Sequence, residues 1–247
     1  MRDDLDYWDD IALDWSKKVQ TSHNYRYLII KPALKRLLSN IKNKKILDIG
    51  CGDGVLTEYL HELGADVTGI DGSRKMIEIA KQRTSSVTYK VMDARQKLNL
   101  DSQFDVITAL LLLNSLSDLT VLFQEVQRLL KDEGFFLFVV LHPSFASVTS
   151  SFYNSWLRKI FGKPPASLTY DYFQGQRFLR TDSKNKKQVP FYHRTLEQYS
   201  QALKNNSFLI EEILEPHELP EEFLKHNPKL EYTTKTPRFL IVKAVKK

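Results

Sequence analysis

The sequence predicts an α/β protein built on an open, mostly parallel sheet, and three observations predict it. Between Lys45 and Leu141 short apolar runs alternate with stretches of helical period, the pattern of successive βαβ units. The first run ends in a glycine-punctuated loop, Gly50-Cys51-Gly52-Asp53-Gly54, which opens directly into a helix. The next two runs are each followed by an aspartate at the strand tip, Asp71 and Asp93.

Ile46 to Ile49 reads as the first strand and Val55 to Leu63 as a helix with Val55, Leu56, Tyr59, Leu60 and Leu63 on its apolar face, stopped by Gly64. Val67 to Ile70 is the second strand. Ser73 caps the next helix, whose inner face is Met76, Ile77, Ile79 and Ala80. Val87–Met92, Phe104–Ala109 and Phe135–Leu141 are the third, fourth and fifth strands, with a helix from Asp118 to Leu130 before the last of them. After His142 the periodicity lapses for about fifty residues, the behaviour of a lid or binding insertion. It returns with a helix over Thr195–Asn205 and strands over Phe208–Leu214 and Arg238–Val245. The chain thus divides into residues 1–44 ahead of the core, a core over 45–141, an insertion over 142–194 and a C-terminal part over 195–247, all in one expected domain.

Composition narrows the function. With 42% hydrophobic and 27% charged residues the chain is that of an ordinary globular enzyme. No run approaches the roughly 20 apolar residues of a membrane helix, and the start of the chain has no secretory pattern. Cys51, the only cysteine, precludes an internal disulfide or a multi-cysteine zinc site and fits a cytoplasmic setting. The six histidines show no ligand spacing, so no metal is expected. The formal charge is +6 overall, but residues 142–194 carry nine Lys/Arg against two acids, together with 11 of the 28 aromatics. That segment is the expected partner-facing surface.

Alternate glycines let the backbone turn sharply and lie bare against a ligand, and an acid about twenty residues on can accept both ribose hydroxyls. The loop is not the nicotinamide fingerprint, because Val55 stands where that pattern has a small residue.

At these residues the chain resembles the class I S-adenosylmethionine-dependent methyltransferases. Asp48, Gly50, Cys51, Gly52 and Gly54 stand as in that family's first motif, and Asp71, Gly72 and Met76 as in its second. Asp93 with Ala94 is similar to its third motif, and Leu110 closes a stretch similar to its fourth. The resemblance implies S-adenosyl-L-methionine as cofactor and S-adenosyl-L-homocysteine as product. It also implies a Rossmann-like three-layer sandwich, seven strands with the last antiparallel. In it, the acid of the second motif holds ribose, the methionine packs near adenine and Asp93 meets the adenine amino group. Tyr7 to Ala12 looks like the lead-in helix of the small-molecule branch, which includes quinone-biosynthesis methyltransferases. Such helices close over the cofactor. Within Asn24-Tyr25-Arg26, Tyr25 and Arg26 either hold the methionine carboxylate or simply pack and solvate a helix start.

Methyl transfer from a sulfonium is mainly alignment and desolvation, and a base is required only for a protonated nucleophile. His142, after the fifth strand, and His193, before the returning helix, are each a base or a hinge histidine held by backbone; Arg194 is an anion clamp or a surface charge. Cys51 reads as a packing residue, not a nucleophile. The expected reaction is methylation of a small aromatic or anionic acceptor at O or N. The alternatives are methylation of RNA or protein by the basic insertion, and a cofactor-binding module without catalysis.

Overall fold

The computed structural model describes residues 3–19, 25–84, 86–145, 172–173, 177–181 and 188–247. Asn24, the apolar run Phe152, Tyr153, Trp156 and Leu157, and the lysines at 184, 186 and 187 lie outside the described residues.

Two helices, α1 (Asp4–Val19) and α2 (Tyr25–Leu37), precede β1 (Lys45–Ile49). Then come α3 (Val55–Glu62), β2 (Asp66–Asp71), α4 (Arg74–Arg83), β3 (Thr88–Val91) and β4 (Phe104–Leu110). A 3-10 turn over Leu113–Ser115 leads to α5 (Thr120–Leu129) and β5 (Leu130–Leu141). The chain continues through β6 (Arg177–Thr181), β7 (Gln188–Tyr192), α6 (Leu196–Asn205), β8 (Phe208–Leu214), α7 (Glu221–His226), a 3-10 stretch over Pro228–Thr234 and β9 (Phe239–Lys246).

Seven strands form one sheet in the order β3-β2-β1-β4-β5-β9-β8, and β9 runs antiparallel to both its neighbours, as predicted. Side chains that alternate along β5 divide between its two faces. Phe136 and Phe138 enter one core cluster with Phe123 of α5, while Leu137 and Val139 enter the other with Ile30 and Leu34 of α2. All of these are essentially inaccessible to water. The helix starts follow local chemistry. Ser73 Oγ accepts from Met76 N at 3.1 Å, and Thr195 and Gln198 form a reciprocal capping box at α6.

The structure differs from expectation at three places. Helix α5 ends at Leu129 and β5 begins at once, five residues earlier than the expected start at Phe135, with Asp132, Glu133 and Gly134 in an irregularity between the pairs Phe104–Leu130 and Val106–Phe135. A Cβ on Gly134 would meet the Asp105 carbonyl at 2.8 Å, so a side chain there would block the close approach of β4. The lapse in periodicity after His142 contains an antiparallel hairpin, with Leu179 paired to Pro190. In a two-stranded ribbon no third strand calls on the missing proline N–H. Helix α7 and the 3-10 stretch after it were not foreseen. Among the described residues no helix is long and apolar enough to cross a membrane.

Candidate functional site

The five mutually parallel strands β3, β2, β1, β4 and β5 deliver their carboxyl ends to one edge, where open α/β sheets bind ligands. A cavity of about 1010 Å³, counting its open mouth, lies there.

The glycine loop forms its floor. The N–H groups of Gly50 and Cys51 both donate to the Ile70 carbonyl, at 2.8 and 3.0 Å, folding the loop back over β2. Gly50, Gly52 and Gly54 all have left-handed backbone, with φ of 73°, 56° and 83°. Their surroundings differ. A Cβ on Gly50 would strike Leu112 at 2.7 Å and one on Gly54 would strike the Tyr89 hydroxyl at 2.7 Å, whereas one on Gly52 would meet nothing within 4 Å. Gly50 and Gly54 are therefore glycines for packing, and Gly52 presents bare backbone to open space.

The Asp71 carboxylate accepts from Gly52 N at 2.9 Å and from Ser73 N at 2.8 Å, one bond on each oxygen. A carboxylate has about four acceptor positions, so capacity for two further donors remains. Burial pushes Asp71 up to about 6, against the pull of those two N–H groups. Asp48 is also pushed up to about 6 by burial, but its oxygens take the hydroxyls of Thr108 and Thr57, both at 2.7 Å. It ties β1 to α3 and β4 beneath the loop.

Asp93 is gripped by Arg95, with contacts of 2.8 to 3.0 Å, and Arg95 also reaches Asp3 at 2.8 Å. Asp3 leads into α1, which is tied down further by Asp9 to Ser73 Oγ, by Leu5 against Gly72, and by Asp4 to Tyr192 Oη at 2.6 Å and Arg177 at 3.0 Å. The lead-in helix thus lies across the cavity, bridging α4 and the hairpin.

Of the residues the sequence singled out, Asp48, Gly50, Cys51, Gly52, Asp71, Gly72, Met76, Asp93, Ala94 and Leu110 border this cavity. Gly54 does not. Nor do Tyr25 and Arg26, although the Arg26 guanidinium stacks 5.2 Å from the ring centre of Trp15, a cavity residue. Cys51 is buried and its thiol is raised well above the usual range, chiefly by burial, so it is no thiolate.

The three residues expected to act on the acceptor do not border the cavity. His142 Nδ1 accepts from Ser144 N at 3.1 Å, which leaves Nε2 to donate to Glu215 at 2.7 Å; both ring nitrogens are engaged. His193 Nε2 bonds the Tyr172 carbonyl at 3.0 Å. Arg194 donates to the carbonyls of Leu113, Leu116 and Ser117, at 2.6 to 2.9 Å, and so holds the loop whose Ser115 and Leu116 line the cavity.

Sequence reasoning missed much of the wall. Trp8 and Trp15, seven residues apart on one face of α1, meet edge to face with ring centres 5.6 Å apart. Tyr27, Leu111, Leu112 and Leu116 continue that surface. The spacing of the two tryptophans was a usable signal. Leu111 gave none, yet its φ is +67°, a conformation rare for bulky residues and typical of functional sites.

A bare glycine facing open space, a carboxylate with spare acceptor capacity and an aspartate at the next strand tip define a nucleotide-cofactor site on a Rossmann-like sheet. Comparison with known proteins gives its class. The model of the methyltransferase domain family matches residues 22–177. A ubiquinone biosynthesis O-methyltransferase of Pelagibacter ubique (strain HTCC1062) is 30% identical over 175 residues, 62% of this chain and 72% of that one. Another, from Bartonella tribocorum, is 28% identical over 63% of this chain and 72% of its own length. A solved S-adenosylmethionine dependent methyltransferase structure from Listeria monocytogenes superposes with a TM-score of 0.71 at 30% identity, covering 88% of this chain and 96% of that one. The chain belongs to the methyltransferase domain family, and it is an S-adenosylmethionine-dependent methyltransferase.

Proposed function

We propose that the protein methylates an oxygen or nitrogen of a small aromatic or anionic molecule. The observation that carries this reading is the cavity wall of Trp8, Trp15, Tyr27, Leu111, Leu112 and Leu116, an apolar and aromatic surface suited to a planar acceptor. The likeness to ubiquinone biosynthesis O-methyltransferases supports it.

S-adenosylmethionine supplies a methyl group on a sulfonium, already a good leaving group. The chain's part is to hold and shield. Asp71 accepts the ribose hydroxyls with the positions its two backbone bonds leave open, and Gly52 leaves room for the ligand against bare main chain. Asp93, Ala94 and Met76 border the base, with Arg95 fixing the Asp93 carboxylate. Trp8 and Trp15 align the acceptor ring and exclude water. His142 and His193 are positioning residues in this scheme, since their Nε2 atoms are bonded within the chain. Arg194 positions the acceptor-facing loop.

The test is transfer of labelled methyl from S-adenosylmethionine to a panel of phenols, catechols and aromatic amines, with RNA and unfolded protein alongside. Label in one or more of the small aromatics is expected. Label confined to RNA or protein would overturn the reading.

A further inference from the structure

We infer that Ser115 Oγ hydrogen-bonds the oxygen or nitrogen that receives the methyl group, and so selects the acceptor; this rests on the small-molecule reading above. The strand order lays out the site. Asp93 lies beyond the tip of β3, Asp71 ends β2 and Gly52 follows β1. The next strand is β4, and Ser115 lies in the 3-10 turn after it, on the cavity wall. Neighbouring strands are about 5 Å apart, so a cofactor with its base by β3 and its ribose by β2 carries its sulfonium toward the tips of β1 and β4. An acceptor facing that methyl group meets the turn after β4.

That short turn is braced from three directions. The chain leaves β4 through Leu111, whose φ of +67° is strained for leucine, while its N–H donates to the Val139 carbonyl at 2.8 Å. Asn114 is buried; its Oδ1 accepts from Leu141 N at 2.9 Å and its Nδ2 donates to Tyr199 Oη at 3.3 Å. Arg194 donates to the carbonyls of Leu113, Leu116 and Ser117, on both sides of Ser115. A backbone fixed in this way holds a side chain where chemistry needs it. The turn presents leucines to the cavity and one hydroxyl, that of Ser115. Ser115 N donates to the Leu112 carbonyl at 2.7 Å, but among the described residues no hydrogen bond engages its Oγ. The other hydroxyl on the described cavity wall is that of Tyr27, on α2; only Ser115 stands on the braced turn.

A serine hydroxyl both donates and accepts. Ser115 Oγ accepts from the O–H or N–H of the acceptor, which turns a lone pair of that atom toward the methyl carbon. As the new C–O or C–N bond forms, the C–S bond breaks and its electron pair stays on sulfur. The acceptor's proton leaves to water at the open mouth of the cavity, and Ser115 ends as it began. A ring without such a hydrogen leaves Ser115 unpaired against an otherwise apolar wall, and that difference is the basis of selection.

The probes are phenol and fluorobenzene, which has nearly the same shape and no hydroxyl, titrated against the full chain saturated with S-adenosylhomocysteine. The ratio of phenol to fluorobenzene affinity should fall about three- to tenfold in Ser115→Ala, the scale of one neutral hydrogen bond. Affinity for S-adenosylhomocysteine should stay within about twofold of wild type. Ser115→Thr, which keeps a hydroxyl, should hold the ratio nearer to wild type than Ser115→Ala does. Should Ser115→Ala fail to fold, Ser115→Cys, with its weaker donor and acceptor, must lower the ratio in its place. An unchanged ratio, or binding of neither probe by wild type, overturns the role of Ser115. A larger loss of S-adenosylhomocysteine affinity in Ser115→Ala also overturns it, by assigning Ser115 to the cofactor. The labelled-methyl panel separates the two levels. Label in small aromatics with an unchanged ratio overturns Ser115 alone, whereas label confined to RNA or protein overturns the small-molecule reading and this inference with it.

Discussion

Asp71 carries two opposed pH dependences. Burial holds its carboxyl at about 6 in the fold, above the roughly 3.9 of an unfolded aspartate. The folded chain then binds more protons than the unfolded one between those values. Asp71's contribution to stability is fully present below about pH 4 and is lost as pH rises through about 6. Ligand affinity runs the other way, because only the ionised carboxylate accepts from ribose hydroxyls with all its lone pairs. Affinity for S-adenosylhomocysteine should be flat above about pH 7 and fall by up to about tenfold per unit below 6. Asp71→Asn should bind more weakly at pH 8 by about 1–3 kcal/mol and lose most of the pH dependence. Calorimetry from pH 5 to 8 checks both. Asp48 is raised to the same value, but its oxygens are occupied by threonine hydroxyls, so the asparagine variant isolates Asp71.

Among the elements, the segment from Leu113 to Ser117 and helix α1 close the site, and each is held by a few polar contacts. Arg194 donates three bonds to carbonyls of that segment. Arg194→Ala should raise the KM for acceptor and lower kcat, with cofactor affinity within about twofold of wild type, because no cavity residue of the cofactor half is touched. Steady-state kinetics beside calorimetry decide it. Helix α1 is joined to the hairpin through Asp4, which takes both Tyr192 Oη and Arg177. Asp4→Ala and Tyr192→Phe should each speed release of S-adenosylhomocysteine by about three- to tenfold. The double variant should be little faster than Asp4→Ala alone, since that change already removes the Tyr192 contact together with the one to Arg177. Stopped-flow displacement measures it. These ties explain what the sequence left unread. Asp3 and Arg95 are 92 residues apart and Asp4 and Tyr192 are 188 apart, and no local pattern announces a pairing of that range. The hairpin was hidden by Pro190, which argues against a strand except in a ribbon of this kind.

Across the whole molecule, legibility follows the distance over which a feature is decided. The βαβ repeats, the glycine loop and the capped helices are set within one or two elements, whereas the strand order of the sheet is set by packing across the whole chain. Cavity-bordering residues such as Gly52, Asp71 and Asp93 could therefore be chosen from their places at strand ends. His142 occupies an equally suggestive strand end. It is engaged by Glu215, 73 residues further on, a partner that only the folded sheet brings near. The left-handed backbone of Leu111 was equally hidden, because the type of that residue argues against it.

The central claim is that the cavity over the glycine loop receives S-adenosylmethionine, with Gly52 as the point where the ligand meets bare backbone. Titration of S-adenosylhomocysteine into wild type and Gly52→Val tests it most directly. A branched side chain at Gly52 would project into space that is open within 4 Å, so a folded Gly52→Val should show no measurable binding where wild type saturates. A melting curve on the same sample shows that the variant is folded, since its φ of +56° disfavours valine. Wild-type affinity in a folded Gly52→Val, or no binding by wild type, would contradict the account.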